Sequence, residues 1–189
     1  FVKTILGQHH NYVGNLKVNT KSIGFVPQFR DISRDYPLSV AEFVGLAFNS
    51  GWHLFNNRSE KVAIHKALQK MDLVNIADQR LGLISGGQRQ RAFVAQALVK
   101  QPELLILDES TASLDHEHKR QLLTAIVRLQ KETGLTVLFI THELTLVSDF
   151  ADGFLLFDAG NVTQGNAQAL KKITVDMTLT HPENEVHYV

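Results

Sequence analysis

Residues 84–115, ISGGQRQRAFVAQALVKQPELLILDESTASLD, constrain this chain more than any other stretch. A Ser-Gly-Gly-Gln turn opens a helix at Ser85. That helix is predicted to run to Lys100, stop at Gln101-Pro102 and give way to an apolar strand, Leu104–Leu107. The strand ends in two adjacent carboxylates, Asp108 and Glu109. A turn of small residues and Ser113-Leu114-Asp115 follow.

Each part implies a chemistry. Gly86 and Gly87 lack a Cβ, so their backbone N–H groups can come close to a ligand. At a helix start these donors have no intrahelical partner and sit at the positive end of the helix dipole. They form an anion site, to which Ser85 at the N-cap adds a hydroxyl. The unbroken apolar strand fits a parallel sheet covered by helices on both faces. Ligands of such sheets gather at the carboxyl ends of the strands, where Asp108 and Glu109 sit. Adjacent strand residues point to opposite faces, so the two carboxylates have separate tasks: one can hold Mg²⁺ and the other can polarise a water.

In this order and spacing, S-G-G-Q, L-L-I-L-D-E and S-L-D resemble the signature motif, Walker B strand and D-loop of an ATP-binding cassette (ABC) transporter ATPase. The resemblance implies an α/β fold. Its core would be a P-loop NTPase (RecA-like) parallel sheet with an inserted α-helical subdomain, here lacking the family's N-terminal part. No G-x-x-x-x-G-K-[ST] phosphate loop occurs in residues 1–189. The natural polypeptide is therefore expected to extend upstream of Phe1, and residues 1–189 alone are expected to be inactive. The opening Phe1–Gly7 does not read as a signal peptide, because its apolar run is short and lacks a cleavage pattern.

Composition narrows the classes further. With 19 basic and 19 acidic residues the formal charge is zero, which offers no general field for nucleic acid and no polybasic lipid-binding run. The absence of cysteine excludes disulfides and thiolate metal sites, in keeping with a reducing compartment. No apolar run approaches the roughly 20 residues needed to span a bilayer.

In chain order, Phe1–Leu6 reads as a helix end with Gly7 as its cap, and Lys17–Thr20 as a short edge strand. Ser22–Val26 reads as a buried strand closed by Pro27. Gln28 follows and matches the family's Q-loop, whose amide reaches Mg²⁺ or the attacking water. Standing alone it would read as a solvated loop residue. Ser39 is predicted to cap a helix carrying Val40, Phe43, Val44, Ala47 and Phe48 on one face. A second helix is predicted after Ser59, with Ile64, Ala67, Leu68 and Met71 at helical spacing. Only residues 29–84 separate Gln28 from Ser85. That suits the compact helical insertion of a transporter cassette and is too short for the coiled-coil arms of DNA-repair relatives. Tyr36-Pro37 and Leu38-Ser39-Val40 resemble the phrase that follows the Q-loop in cassettes of zinc or manganese importers. Trp52 and Phe55 read equally as core residues or as contacts to a transmembrane partner.

Downstream, Glu117–Thr133 is amphipathic with Gly134 after it, and Leu135–Ile140 is a second apolar strand. By resemblance Leu135–Ile140 is a central strand, yet residues 1–189 hold no candidate for the neighbour on its other side. Unpaired backbone is expected there. His142 matches the family's switch histidine. A helix over Leu144–Phe150, a hairpin of Gly153–Phe157 with Val162-Thr163, and a helix over Asn166–Lys172 follow. Thr174–Val189 reads as a poorly ordered polar tail. Its His181, Glu183, Glu185 and His187 lack the spacing of a helical ligand pair. His9, His10, His116 and His118 are expected to be exposed. Ser110 stands where many relatives have proline.

The expected organisation has four parts. Residues 1–36 form partial ATPase core and 37–100 the helical subdomain. Residues 101–173 return to the core and 174–189 form the tail. The resemblance implies ATP and Mg²⁺ as ligands and a homodimer that sandwiches ATP. Ser85, Gly86, Gly87 and Gln88 would serve the nucleotide held by the opposite subunit. Asp108 and Gln28 would hold Mg²⁺, Glu109 would act as general base, and His142 would steady the γ-phosphate. Ser113 and Asp115 would lie at the dimer interface. Implied partners are a second ATPase subunit, permease subunits and an extracytoplasmic substrate-binding protein. The implied location is the cytoplasmic face of the membrane. Competing classes are a degenerate, non-hydrolysing cassette that regulates or completes another subunit, and a soluble ABC ATPase of translation or repair. The retention of Gln28, Glu109 and His142 weighs against the first, and the single cassette against the second.

Overall fold

The computed structural model describes residues 1–28, 32–48, 57–109, 115–158 and 160–180, without the side chains of Val147 and residues 174–180. Trp52, Phe55, Ser110, Ser113 and the histidines and glutamates beyond residue 180 lie outside the described residues.

The chain opens with α1 (Val2–Ile5), closed by Gly7 at φ +68°. β1 (Ile23–Val26) leads across to a helical layer of α2 (Val40–Gly45), α3 (Arg58–Lys70) and α4 (Gly86–Leu98). The chain then returns through β2 (Leu104–Asp108), α5 (His116–Thr133), β3 (Thr136–Ile140) and α6 (Leu144–Val147). A hairpin, β4 (Gly153–Asp158) and β5 (Asn161–Asn166), precedes α7 (Ala167–Thr180).

β1, β2 and β3 form one parallel sheet in that order, with Phe25 opposite Ile106 and Ile106 opposite Leu138. This is the α/β architecture expected from the sequence. The central strand is the most buried, with Leu105, Ile106 and Leu107 sealed from solvent. Burying each such side chain stabilises by about 1.5–3 kcal/mol. β3 pairs only with β2 among the described residues, and its Val137–Ile140 are half-buried. No other described strand lies on its outer side. Gly24 allows α4 to lie close over β1: a Cβ there would stand 2.6 Å from the Ala97 carbonyl oxygen and 3.0 Å from Pro102. In the helical layer Phe43 meets Phe93 edge-on at 4.9 Å, and Val40, Val44, Met71, Leu73 and Leu81 are fully enclosed.

Several expectations change. Lys17–Thr20 is not a strand, because no described strand lies beside it and Val18 is exposed. The helix after Ser39 ends at Gly45 and tightens into a 3₁₀ turn, Leu46–Phe48, since glycine is a poor helix former. Ser39 does cap it, in a reciprocal box with Glu42. α3 starts at Arg58 and not after Ser59. Asn57 lies three residues before Glu60, so each side chain takes the other's backbone N–H, whereas Ser59 only donates to Asn57 Oδ1 at 2.6 Å. α4 ends at Leu98, short of Lys100, and α6 ends at Val147, short of Phe150. α7 continues to Thr180, into the segment read as a polar tail.

One buried group works against stability. Gln90 on α4 is 1% exposed, and among the described residues neither its amide oxygen nor its nitrogen has a hydrogen-bond partner. Leaving an amide dehydrated and unpaired costs about 1–3 kcal/mol. Gln90→Met, of similar length and apolar, is expected to raise stability by about 1 kcal/mol or more in urea unfolding. An unchanged midpoint would mean that the amide is satisfied in solution.

Candidate functional site

The parallel register places the ends of the three strands side by side, and three of the sequence-selected residues meet there. Gln28, two residues past β1, donates from Nε2 to Glu109 Oε2 at 2.8 Å. His142, two residues past β3, brings Nδ1 to 3.8 Å from the other Glu109 oxygen. Glu109 is the first residue beyond β2. Its φ of +43° lies in the left-handed region, which costs a non-glycine residue of order 1–3 kcal/mol. Its backbone N–H donates to the Ile140 carbonyl at 3.0 Å, holding the turn against β3. The carboxylate and the imidazole both remain open to solvent, with side chains 36% and 58% exposed. A water at Glu109 is therefore accessible without rearrangement of the strands.

Asp108 is the last residue of β2, beside this group and half-buried. With Gln28 Nε2 committed to Glu109, its Oε1 is the acceptor that remains. A carboxylate and an amide oxygen are the hard donors that Mg²⁺ takes. Among the described residues no group of three or more His, Cys, Asp or Glu side chains could enclose a metal by itself. Mg²⁺ accepts one or two protein ligands and fills its shell with water and phosphate oxygens.

A fourth connection was not legible in the sequence. Lys119 Nζ lies 2.6 Å from Glu143 Oε1, with Lys119 12% exposed. This pair ties α5 to the residue after His142, while the Glu143 N–H donates to Thr141 Oγ1 at 3.0 Å. No local pattern marks Lys119 and Glu143 as partners, because they lie 24 residues apart and only the tertiary fold brings them together.

The Ser85 turn is a second cluster. Ser85 caps α4 in a reciprocal box: Gln88 N–H donates to Ser85 Oγ at 3.2 Å and Ser85 N–H donates to Gln88 Oε1 at 2.9 Å. Gly86 and Gly87 occupy the first helical positions, where N–H groups have no intrahelical acceptor. Among the described residues nothing lies within 4 Å of where a Gly86 Cβ would be, so they leave this face of the turn uncovered. The Ser85 oxygen is used as an acceptor, which leaves its O–H free to donate outward. Arg89 Nη1 and Nη2 reach the carbonyl oxygens of Ile32 and Ile84, at 3.5 and 3.3 Å.

Asp115 is the N-cap of α5, accepting the His118 N–H at 2.9 Å. That backbone bond, and then the bond from the His118 ring, hold the Asp115 carboxyl below its ordinary value. The cap's contribution is therefore present above the ordinary aspartate range and is lost as pH falls through the lowered value. His118, expected to be exposed, is half-buried with its ring against Gly87. Arg91, His116, Arg120 and Arg128 line a separate groove of about 700 Å³, to which neither cluster contributes.

The ABC transporter family model matches residues 1–112. The chain is 32% identical over 160 residues to the zinc uptake system ATP-binding protein ZurA of Listeria innocua, covering 83% of this chain and 62% of that protein. It is 38% identical over 132 residues to the methionine import ATP-binding protein MetN of Streptomyces coelicolor, covering 68% and 36%. The chain thus spans less than two thirds of the length of either relative. The solved structure of a metal-chelate type ABC transporter in an inward-facing conformation superposes with a TM-score of 0.79 at 29% identity. That match covers 89% of this chain and 66% of that one.

Proposed function

We propose, since this chain belongs to the ABC transporter family, that it is the ATP-hydrolysing part of a transporter importing a divalent metal ion, zinc or manganese. The observation that carries the ATPase reading is the Gln28–Glu109 hydrogen bond of 2.8 Å, with His142 on the other Glu109 oxygen. These three side chains, from the ends of three adjacent strands, surround one position for an attacking water.

Glu109 accepts a proton from that water as its oxygen bonds to the γ-phosphorus. The bond to the bridging oxygen breaks, and ADP leaves with that oxygen. Gln28 orients the Glu109 carboxylate, and His142 donates toward the γ-phosphate. Asp108, with Gln28 Oε1, would hold Mg²⁺, which would neutralise charge on the phosphate oxygens. Phosphoryl transfer is mainly positioning and charge stabilisation, so the alignment of these groups is what matters. Ser85, Gly86, Gly87 and Gln88 serve ATP held by a second subunit of a homodimer, with Ser113 and Asp115 at the interface. Residues 37–100 form the helical subdomain, set between core segments 1–36 and 101–173. No described helix is long and apolar enough to cross a membrane. In this reading the chain joins the cytoplasmic face through permease subunits, which receive cargo from an extracytoplasmic binding protein.

Support for a metal cargo comes from the Tyr36-Pro37 and Leu38-Ser39-Val40 phrases and from the likeness to a zinc uptake protein. The likeness to a methionine importer makes the cargo the point to test. The full-length protein, reconstituted with its permease in vesicles, should take up radioactive zinc or manganese in proportion to ATP hydrolysed. Hydrolysis coupled to methionine and indifferent to both metals would overturn the cargo. Absence of hydrolysis with every cargo would overturn the ATPase reading.

A further inference from the structure

We infer that His118 is a positioning residue that pins the Ser85–Gln88 turn to the N-cap of α5 in the same subunit. The inference rests on the ATPase reading proposed above and adds to it a part that the motifs do not contain. It begins with Gly87. A Cβ at that position would lie 2.7 Å from His118 Cδ2, 3.2 Å from Cγ and 3.5 Å from the His118 Cβ. The imidazole therefore stands directly against the second residue of α4. At Gly86 the same construction meets no described residue within 4 Å. The ring covers one side of the turn and leaves the side bearing the Gly86 amide and the Ser85 hydroxyl open.

The ring is itself anchored. His118 Nδ1 lies 2.7 and 2.8 Å from the two Asp115 carboxylate oxygens, and the His118 backbone N–H donates to one of them. A carboxylate only accepts, so Nδ1 carries the proton. Two attachments to one carboxylate, three residues apart on the first turn of a helix, restrict both the backbone and the χ angles of His118. Glycine at position 87 gives the space that the ring fills. The result is a short link running from the turn through His118 to Asp115.

The link joins two layers. α4 belongs to the helical layer, whereas Asp115 follows β2 and the carboxylates at its end. In the proposed dimer the Ser85 turn and Asp115 must both present themselves to the partner subunit. A rigid tie between them makes them arrive together, so that closing on ATP sets one relative position and not two. A half-exposed surface histidine with no such task would be indifferent to replacement.

The test uses the full-length protein with His118→Ala, His118→Leu and His118→Asn. Alanine and leucine remove the donor to Asp115, whereas asparagine keeps one. In a Glu109→Gln background, Ala and Leu should raise the ATP concentration needed for dimer closure about tenfold, as expected for loss of one charge-assisted hydrogen bond. ATP binding to the separate subunit should not change. With Glu109 intact, kcat should fall with little change in KM, and Asn should restore most of both effects. Equal closure and turnover in all three variants would overturn the inference, as would losses that Asn fails to rescue. NMR of isotope-labelled histidine separates this failure from failure of the ATPase reading. His118 should show a fixed Nδ1-protonated tautomer that is released by Asp115→Asn. A freely exchanging tautomer in the parent protein overturns the link even where ATP closes the dimer. A fixed tautomer in a protein that ATP never closes overturns the ATPase reading on which the role depends.

Discussion

Glu109→Gln in the full-length protein is expected to bind ATP as the parent does, lose roughly 100- to 10,000-fold in hydrolysis, and persist as an ATP-bound dimer. The amide matches the carboxylate in shape but cannot take the water's proton. It can still accept the Gln28 Nε2 hydrogen bond that the carboxylate receives at 2.8 Å, so the geometry of the strand ends survives. The backbone N–H of residue 109 stays on the Ile140 carbonyl, which leaves the left-handed turn in place. With structure and binding preserved, only turnover is lost. Size-exclusion chromatography with ATP should show the dimer, and with ADP the separate subunits. Near-parental hydrolysis would remove Glu109 from the role of base and leave His142 as the candidate.

Ser85→Arg is expected to abolish hydrolysis, by roughly 100-fold or more, while ATP binding to the separate subunit stays largely intact. The serine acts on the nucleotide of the opposite subunit in the proposed sandwich, so its loss should register only on closure. The substitution also removes the oxygen that accepts the Gln88 N–H, a cap worth about 1 kcal/mol. Ser85→Asp controls for this. Its carboxylate caps as well as a serine does, yet it sets a negative charge where phosphate should sit. Both variants should fail to close with ATP, and only the arginine variant should unfold earlier in a thermal scan. Weakened binding to the separate subunit in a nucleotide titration would contradict the sandwich.

The parts of this molecule that could be read from sequence are those governed by short-range rules. The apolar run Leu104–Leu107 becomes the buried central strand, and Ser85 becomes the N-cap of α4 in a reciprocal box with Gln88. The same rule applied to Asn57 and Glu60 would have found the true start of α3, because the glutamate three residues on identifies the cap. Gln28 and His142 could be nominated only as matches to a family pattern, whereas Glu109 was also marked by its place at a strand end. Their mutual distances depend on a parallel register that no single segment encodes. The Lys119–Glu143 and His118–Gly87 contacts were illegible for the same reason. Each joins elements whose packing is decided by the whole sheet and by the helices laid on it. Lys17–Thr20 shows the converse: residues with strand propensity stay irregular where no neighbouring edge receives them.

The segment that leaves the sheet after Gln28 and the segment that returns to Ser85 run side by side. Val40 N–H donates to the Gln79 carbonyl, Ala41 to Ala77 and Leu81 to Leu38. Ser39 and Arg80 form an antiparallel bridge, and at Gly82 any Cβ would strike the carbonyl oxygens of Ser33 and Arg34 at 2.4 and 2.6 Å. The intervening stretch, with α2 and α3, is thus closed at its base. Exchanging exposed residues there, such as Val62, would change its outer surface while the stem and the buried Phe43, Val44, Ile64 and Leu68 kept Gln28 and Ser85 in place. One end can thus vary at its surface without the chemistry proposed for the other end being rebuilt.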